Sequence, residues 1–282
     1  MGWEARVLRF REGELTLDHT VLMGIVNVTP DSFSDGGRFA QPTSAVEHAL
    51  RLADEGAEIL DIGGESTRPG ADPVPEDEEW RRVGPVLTAL RPKTDARISI
   101  DTYKPKIAAK AVALGVDMVN DVSGLRDERM IRLIARESVP AIVMHMKGEP
   151  RTMQRAAGYR DVVREVYSFL DERTTVAIAA GVPREALVID PGLGFGKRPE
   201  HNTELVRRLG ELRPLGFPIL VGTSRKWFRG ERGGEIPDEG LEAGIAAASL
   251  AVRSGADLLR VHDVAATAKA IRAADEVIRR AR

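Results

Sequence analysis

The sequence predicts an α/β chain closed into a (β/α)8 barrel of the TIM type, folded as one domain. Three observations predict it. Eight short, continuous apolar runs are spaced along 282 residues, as strands buried on both faces require. Helical patterns separate most neighbouring runs, and no linker-like composition shift or low-complexity segment divides the chain. A junction made of a glycine, a small residue, an acid and two apolar residues recurs before several of the runs, which reads as repeated βα units. An open doubly wound sheet is the alternative architecture.

Residues 1–20 read as a short N-terminal extension. The first run, Val21–Val28, follows it. Upstream of the second, Ser44-x-x-Glu47 fits a capping box, and Val46, Ala49, Leu50 and Ala53 share one helical face. Gly56 then closes that helix in left-handed geometry before Ile59–Ile62. The third run is Arg97–Ile100. Pro105 suits the first turn of the next helix, where Ile107, Ala111 and Leu114 form a stripe ending at Gly115. Met118–Val119, Ala141–Met144, Leu187–Ile189 and Ile219–Val221 continue the series. The last run, Leu258–Val261, follows the third junction, at Gly255.

Composition narrows the function. With 41 Lys plus Arg against 43 Asp plus Glu, the formal charge is −2, so no cationic excess points to nucleic acid or an anionic membrane. The absence of cysteine excludes disulfides, thiolate metal sites and a cysteine nucleophile. The longest apolar stretch, Ile245 to Val252, is less than half of a membrane span. Glu and Arg punctuate the first fifteen residues, which leaves no signal-peptide core, and Arg6 stands where a myristoylation signal needs Ser or Thr. A cytoplasmic address is the expectation.

The carboxyl ends of the runs carry the chemistry. At or just beyond them stand Asn27, Asp61, Asp101, Asn120, His145, Asp190, Ser224 with Lys226, and Arg260 with His262; two of the chain's three asparagines are among them. A barrel gathers those ends around one mouth, where catalytic groups sit in this fold. Any single polar residue can merely terminate a buried strand, but eight of eight favour a shared site.

Four segments shape that mouth. Asn27–Gly37, with Asp31, Asp35 and several hydroxyls, suits Mg²⁺ beside a phosphate as well as it suits a solvated Asx-turn loop. Asp61–Gly70 joins a carboxylate to Arg68, which can grip an anion bidentately or form an ordinary surface ion pair. Asp190–Lys197 is neither a P-loop nor a dinucleotide fingerprint; its glycines let backbone approach a flat ligand, with Phe195 as an apolar wall. Gly222–Lys226 and Arg260–His262 lie where late barrel loops bind phosphate. The five histidines form no metal constellation by spacing. His19, His48 and His201 read as surface residues and His145 as packed.

In order along the chain, Met23–Gly37, Asp61–Gly70, Ser99–Pro105, Asn120-Asp121, Met144-His145-Met146, Asp190–Lys197, Ser224-Arg225-Lys226 and Arg260–Asp263 resemble the motifs of dihydropteroate synthases. The resemblance runs from about Val21 to the last helix. It implies an enzyme of folate biosynthesis, a transferase that joins 6-hydroxymethyl-7,8-dihydropterin diphosphate to 4-aminobenzoate and releases dihydropteroate and pyrophosphate. By the same resemblance Asp101, Asn120, Asp190 and Lys226 hold the pterin edge, with Met144 and the Arg260 stem against its ring. Asn27, Arg68, Arg260 and His262 bind the diphosphate, with Mg²⁺ on Asn27 and Asp35. Thr67, Pro69, Phe195, Ser224 and Lys226 shape the aminobenzoate pocket. Asp101, Lys226, Arg260, His262 and Asp35 are the implied catalytic set, and a homodimer is the implied assembly. The match weakens around Gly240 and Ile245, where the family carries an arginine and a small hydroxyl residue; altered packing is expected there.

Three rivals stand beside this reading. A methyltetrahydrofolate-binding methyltransferase barrel shares the pterin-edge groups but leaves Arg68, Arg260, His262 and the acidic first loop without a purpose. A lyase would use Lys226 as a Schiff-base amine. A pterin-binding paralogue would have kept the pocket and lost turnover.

Overall fold

The described residues begin with an antiparallel hairpin, β1 (Arg6–Arg9) and β2 (Glu14–Leu17), that pairs Arg6 with Leu17 and Arg9 with Glu14. The structure, a computed structural model, describes residues 6–29, 37–67, 70–149, 151–153, 157–223 and 240–279. Leu8, Phe10 and Leu17 of the hairpin segment are buried in one cluster with Val21, Met23, Ile59, Met118, Ile142, Val188, Leu220 and Leu258. Those partners lie toward the amino ends of the barrel strands, so the N-terminal extension plugs the bottom of the barrel.

Among the described residues eight strands alternate with eight helices: β3 (Val21–Asn27), α1 (Gly37–Asp54), β4 (Ile59–Gly63), α2 (Glu76–Leu90), β5 (Arg97–Asp101), α3 (Pro105–Ala113), β6 (Met118–Asp121), α4 (Glu128–Glu137), β7 (Ala141–Met144), α5 (Val162–Ala179), β8 (Leu187–Asp190), α6 (Pro199–Arg207), β9 (Leu220–Gly222), α7 (Gly240–Arg253), β10 (Leu258–Val261) and α8 (Val264–Arg279). All pair in parallel, in the order β8-β7-β6-β5-β4-β3-β10-β9, and a parallel bridge between Ile189 and Ile219 joins β8 to β9. That bridge closes the ring and removes the open doubly wound sheet. Every predicted run is a barrel strand, with ends shifted by at most two residues.

Side-chain alternation gives each strand two destinations. Leu22, Leu60, Ile98, Val119, Val143, Ile189, Val221 and Leu259 point outward into a continuous core with the helices. The alternate residues point inward, where Met23, Ile59, Met118, Ile142, Val188, Leu220 and Leu258 form the apolar floor. Two residues further along the same strands come Ile25, Asp61, Asn120, Met144, Asp190, Gly222 and Arg260. The interior therefore changes from apolar to polar one layer above the floor.

Gly56, Gly115 and Gly255 have φ of 109°, 86° and 109°, the left-handed geometry expected of helix-ending glycines. The acid two residues later fastens the floor. Asp257 Oδ2 accepts from Arg6 Nη1 at 2.9 Å and from the Ile219 amide at 2.9 Å. Asp117 Oδ2 accepts from the Ile98 amide and from Arg91, both at 2.8 Å.

One helix start differs from expectation. Helix α1 begins at Gly37, so Ser44 lies inside it rather than at its N-cap. The Ser-x-x-Glu spacing that defines a capping box also puts two side chains on one helical face, and here only that second meaning applies. Pro105 does open α3 at its first position. No described helix is long and apolar enough to cross a membrane.

Candidate active site

The polar layer is built around one guanidinium. Arg260, on β10, donates from Nε to Asp61 Oδ2 at 2.6 Å and from Nη2 to Asp101 Oδ2 at 2.7 Å. Asn120 Nδ2 donates to the same Asp61 oxygen at 3.0 Å. The strands supply these groups because β4 pairs with β5 and β5 with β6, setting Gly63 opposite Asp101 and Asp101 opposite Asn120. Asp61 is fully buried, and its Oδ1 has no hydrogen-bond partner among the described residues. Burial alone would lower the Arg260 pKa, but the charges of Asp61 and Asp101 outweigh it and hold the group above its ordinary value. Paired charges of this kind tolerate burial only while each keeps its partners.

Above Arg260 opens a cavity, continuous with solvent, whose lining includes Asn120, Met144, Asp190, Phe195, Arg260 and His262, with Thr67 at one side. Asp190 Oδ1 accepts from the Gly192 amide at 2.7 Å, which orients the carboxylate from behind. Met144 and Phe195 belong to one apolar cluster with Val122, Met146 and Met153, giving the cavity an apolar wall beside its polar depth. One side of the pocket can hydrogen-bond the edge of a ring while the other stacks on its face.

The Asp190–Lys197 loop folds tightly against the end of β7. Gly192, at φ 65°, would place an added Cβ 1.9 Å from the His145 carbonyl oxygen. Both the conformation and the contact exclude a side chain. A Gly192→Ala variant is expected to lose about 2–4 kcal/mol of stability in urea unfolding.

The expected site residues divide in two. Asp101, Asn120, Met144, Asp190, Arg260, His262, Phe195 and Thr67 converge on this mouth, and Asn27, half-buried, ends β3 opposite Gly63. Asp35, Arg68, Pro69, Ser224 and Lys226 lie outside the described residues. Among the described residues no three His, Asp or Glu side chains gather as metal ligands; of the expected Mg²⁺ pair, Asn27, a hard neutral oxygen donor, is described and Asp35 is not. His145 is buried and packs edge-on to Phe169 at 4.9 Å between ring centroids, as a packed rather than ligating histidine.

Two residues exceeded the sequence reading. Asp61 reads in the sequence as a strand-end carboxylate at the mouth, in one segment with Arg68; in the structure it is the shared acceptor of Asn120 and Arg260. Its signal was its place two residues after an inward apolar residue, as for Asn120 and Asp190. Lys197, noted only as the end of a glycine-rich loop, is buried inside the wall.

Residues 23–262 match the model of the pterin binding enzyme family. A dihydropteroate synthase of Neisseria meningitidis is 49% identical over 266 residues, covering 92% of this chain and 93% of that protein. The chain belongs to the dihydropteroate synthases. A Xanthomonas albilineans dihydropteroate synthase solved with 4-aminobenzoic acid superposes with a TM-score of 0.90 at 48% identity, over 97% of this chain and 98% of that one. The same enzyme in complex with 7,8-dihydropteroate superposes with a TM-score of 0.86 at 46% identity, over 96% and 98%. Dihydropteroate synthase membership sets aside the methyltransferase and lyase readings. At the family departures, a Cβ on Gly240 would meet nothing within 4 Å, and Gly240 and Ile245 line a small hollow with Thr223, Val261 and Thr267.

Proposed function

We propose that the cavity above Arg260 binds 6-hydroxymethyl-7,8-dihydropterin diphosphate with its ring edge against Asn120 and Asp190, and that 4-aminobenzoate enters over Phe195 to displace pyrophosphate. The observation that carries this reading is the Asp61–Arg260–Asp101 clamp with Asn120 and Asp190 beside it. A heterocycle rich in both donors and acceptors needs such an edge, because each buried polar group left unpaired costs about 1–3 kcal/mol. Met144 and the stem of Arg260 pack on the ring faces. Asp101 stabilises the cation-like carbon that forms as the leaving group departs, since that carbon is allylic to an electron-rich ring. The aromatic amine is already a nucleophile, so the reaction needs no strong general base.

Asn27, Arg68 and His262 hold the diphosphate at the cationic rim. Mg²⁺, on Asn27 and Asp35, supplies charge neutralisation to the leaving pyrophosphate when bound. Thr67, Pro69, Ser224 and Lys226 complete the aminobenzoate pocket, and closure of the first two loops excludes water that would capture the cation. The reaction runs in the cytoplasm. The assembly is a homodimer, supported by large apolar side chains left exposed on neighbouring helices, Leu250 on α7 and Val277 on α8. Sedimentation of the chain tests that assembly, and a monomer at micromolar concentration contradicts it.

Pyrophosphate release from the pterin diphosphate, measured with and without 4-aminobenzoate, tests the function. Release is expected only with both substrates and is expected to stop when a chelator removes divalent cations. Aminobenzoate-independent release, or none with Mg²⁺ present, contradicts the reading. Thr67→Ala is expected to raise the KM for 4-aminobenzoate about three- to tenfold with kcat nearly unchanged, the pattern of a lost binding contact.

A further inference from the structure

Lys197 is 2% exposed, yet none of its hydrogen-bond partners is charged. Its ammonium donates to the carbonyl oxygens of Gly192 at 2.8 Å, Phe195 at 3.1 Å and His145 at 3.3 Å, and lies 2.8 Å from His145 Nδ1. Burial first, and then the Lys197 charge, push the His145 pKa down to about 2, so that ring is neutral and accepts at Nδ1. A buried ammonium held only by neutral groups is costly. The same burial lowers the Lys197 pKa to about 7, against the opposing field of Asp190.

The place of this group in the fold explains its use. The loop lines the substrates' cavity through Asp190, Leu193 and Phe195, and Gly192 and Phe195 fix two of these: the Gly192 amide holds the Asp190 carboxylate, and the Phe195 ring is part of the apolar wall. His145 follows β7 directly and its amide donates to the Asp190 carbonyl at 2.9 Å. One ammonium thus ties the loop to the strand end from behind. The loop's own glycines fit the same tight packing, since an added Cβ on Gly196 would lie 2.5 Å from the Lys147 carbonyl oxygen.

We propose that Lys197 is a positioning residue for the transfer reaction: by binding Gly192, Phe195 and His145 together, its ammonium sets the Phe195 wall of the aminobenzoate pocket without touching either substrate. This rests on the reading of Phe195 as that wall. Loss of the proton leaves an amine with two N–H donors and a lone pair facing carbonyl oxygens, so the wall loosens as pH rises. The charged and titratable groups around the ammonium are Asp190, His145 and His201, with Arg126 and Lys147 acting from beyond His145. His145 stays neutral throughout the range used below, and an aromatic acid such as 4-aminobenzoate stays ionised.

The test is the KM for 4-aminobenzoate and kcat, at saturating pterin diphosphate, from about pH 6.5 to about pH 8.5. The unaltered chain is expected to show KM rising about threefold or more across that range, with kcat changing by less than about twofold. Lys197→Met is expected to raise KM about tenfold at the lower pH and to remove the rise. A flat KM in the unaltered chain, a Lys197→Met variant with ordinary KM, or a rise that persists in that variant overturns the proposal. Should the variant fail to fold, the pH profile of the unaltered chain decides alone. Phe195→Ala separates the two layers of the argument. An unchanged aminobenzoate KM in that variant removes the wall itself, whereas a raised one beside an ordinary Lys197→Met defeats only the role of Lys197.

Discussion

Arg260→Ala is expected to lower kcat/KM for the pterin diphosphate about a thousandfold and to destabilise the fold by about 3–5 kcal/mol. Both effects have one origin. The guanidinium is the partner of Asp61 and Asp101, and removing it leaves two carboxylates buried together, their like charges no longer separated by a cation. The cost is that of stranding charge rather than of losing a contact. The two losses are separable. Adding Asp61→Asn to Arg260→Ala removes one stranded charge, and about 1–2 kcal/mol of stability is expected to return without recovery of activity. Urea unfolding and pyrophosphate release measure the two sides. Unchanged turnover in Arg260→Ala contradicts the placement of the pterin over this clamp. Stability that fails to rise in the double variant contradicts the electrostatic explanation of the first loss.

What the sequence made legible follows the physics of a parallel barrel. Strands buried on both faces read as continuous apolar runs, so Leu258–Val261 or Ala141–Met144 is recognisable as strand but says little about which side chain faces in. The polar residue at each carboxyl end breaks the run and marks the mouth, and for that reason Asn120, Asp190 and Arg260 were found. Asp61 was visible but its work was not, because its two partners lie 59 and 199 residues away. Such pairs are set by register and ring closure, which no local pattern records. Lys197 was harder still. A lysine after a glycine-rich loop looks solvated, and only packing of that loop against His145 buries it. The recurrent acid after Gly115 and Gly255 showed the opposite failure: the repeat was plain, while its task, receiving amides and arginines at the barrel floor, needed coordinates.

Asp190→Asn is the sharper test of ring recognition, since it changes one atom of a carboxylate that lines the cavity. The amide oxygen can keep the 2.7 Å bond from the Gly192 amide, so the loop and its Phe195 wall hold their places. In place of the second carboxylate oxygen stands an NH₂ group, which under the proposed placement is a donor set against the donor edge of the pterin. The loss therefore combines an absent charge-assisted bond with a donor set against a donor, about 3–4 kcal/mol together. The expected result is a fall in kcat/KM of about a hundred- to a thousandfold, expressed mainly as weaker pterin diphosphate binding, with the thermal midpoint within about 3 °C of the unaltered chain. Calorimetric titration with a pterin and thermal unfolding distinguish this from collapse of the loop, which would lower both together. Asp190→Asn with full pterin affinity would mean that the ring presents some other edge to β8, and the orientation proposed for both substrates would have to be reversed.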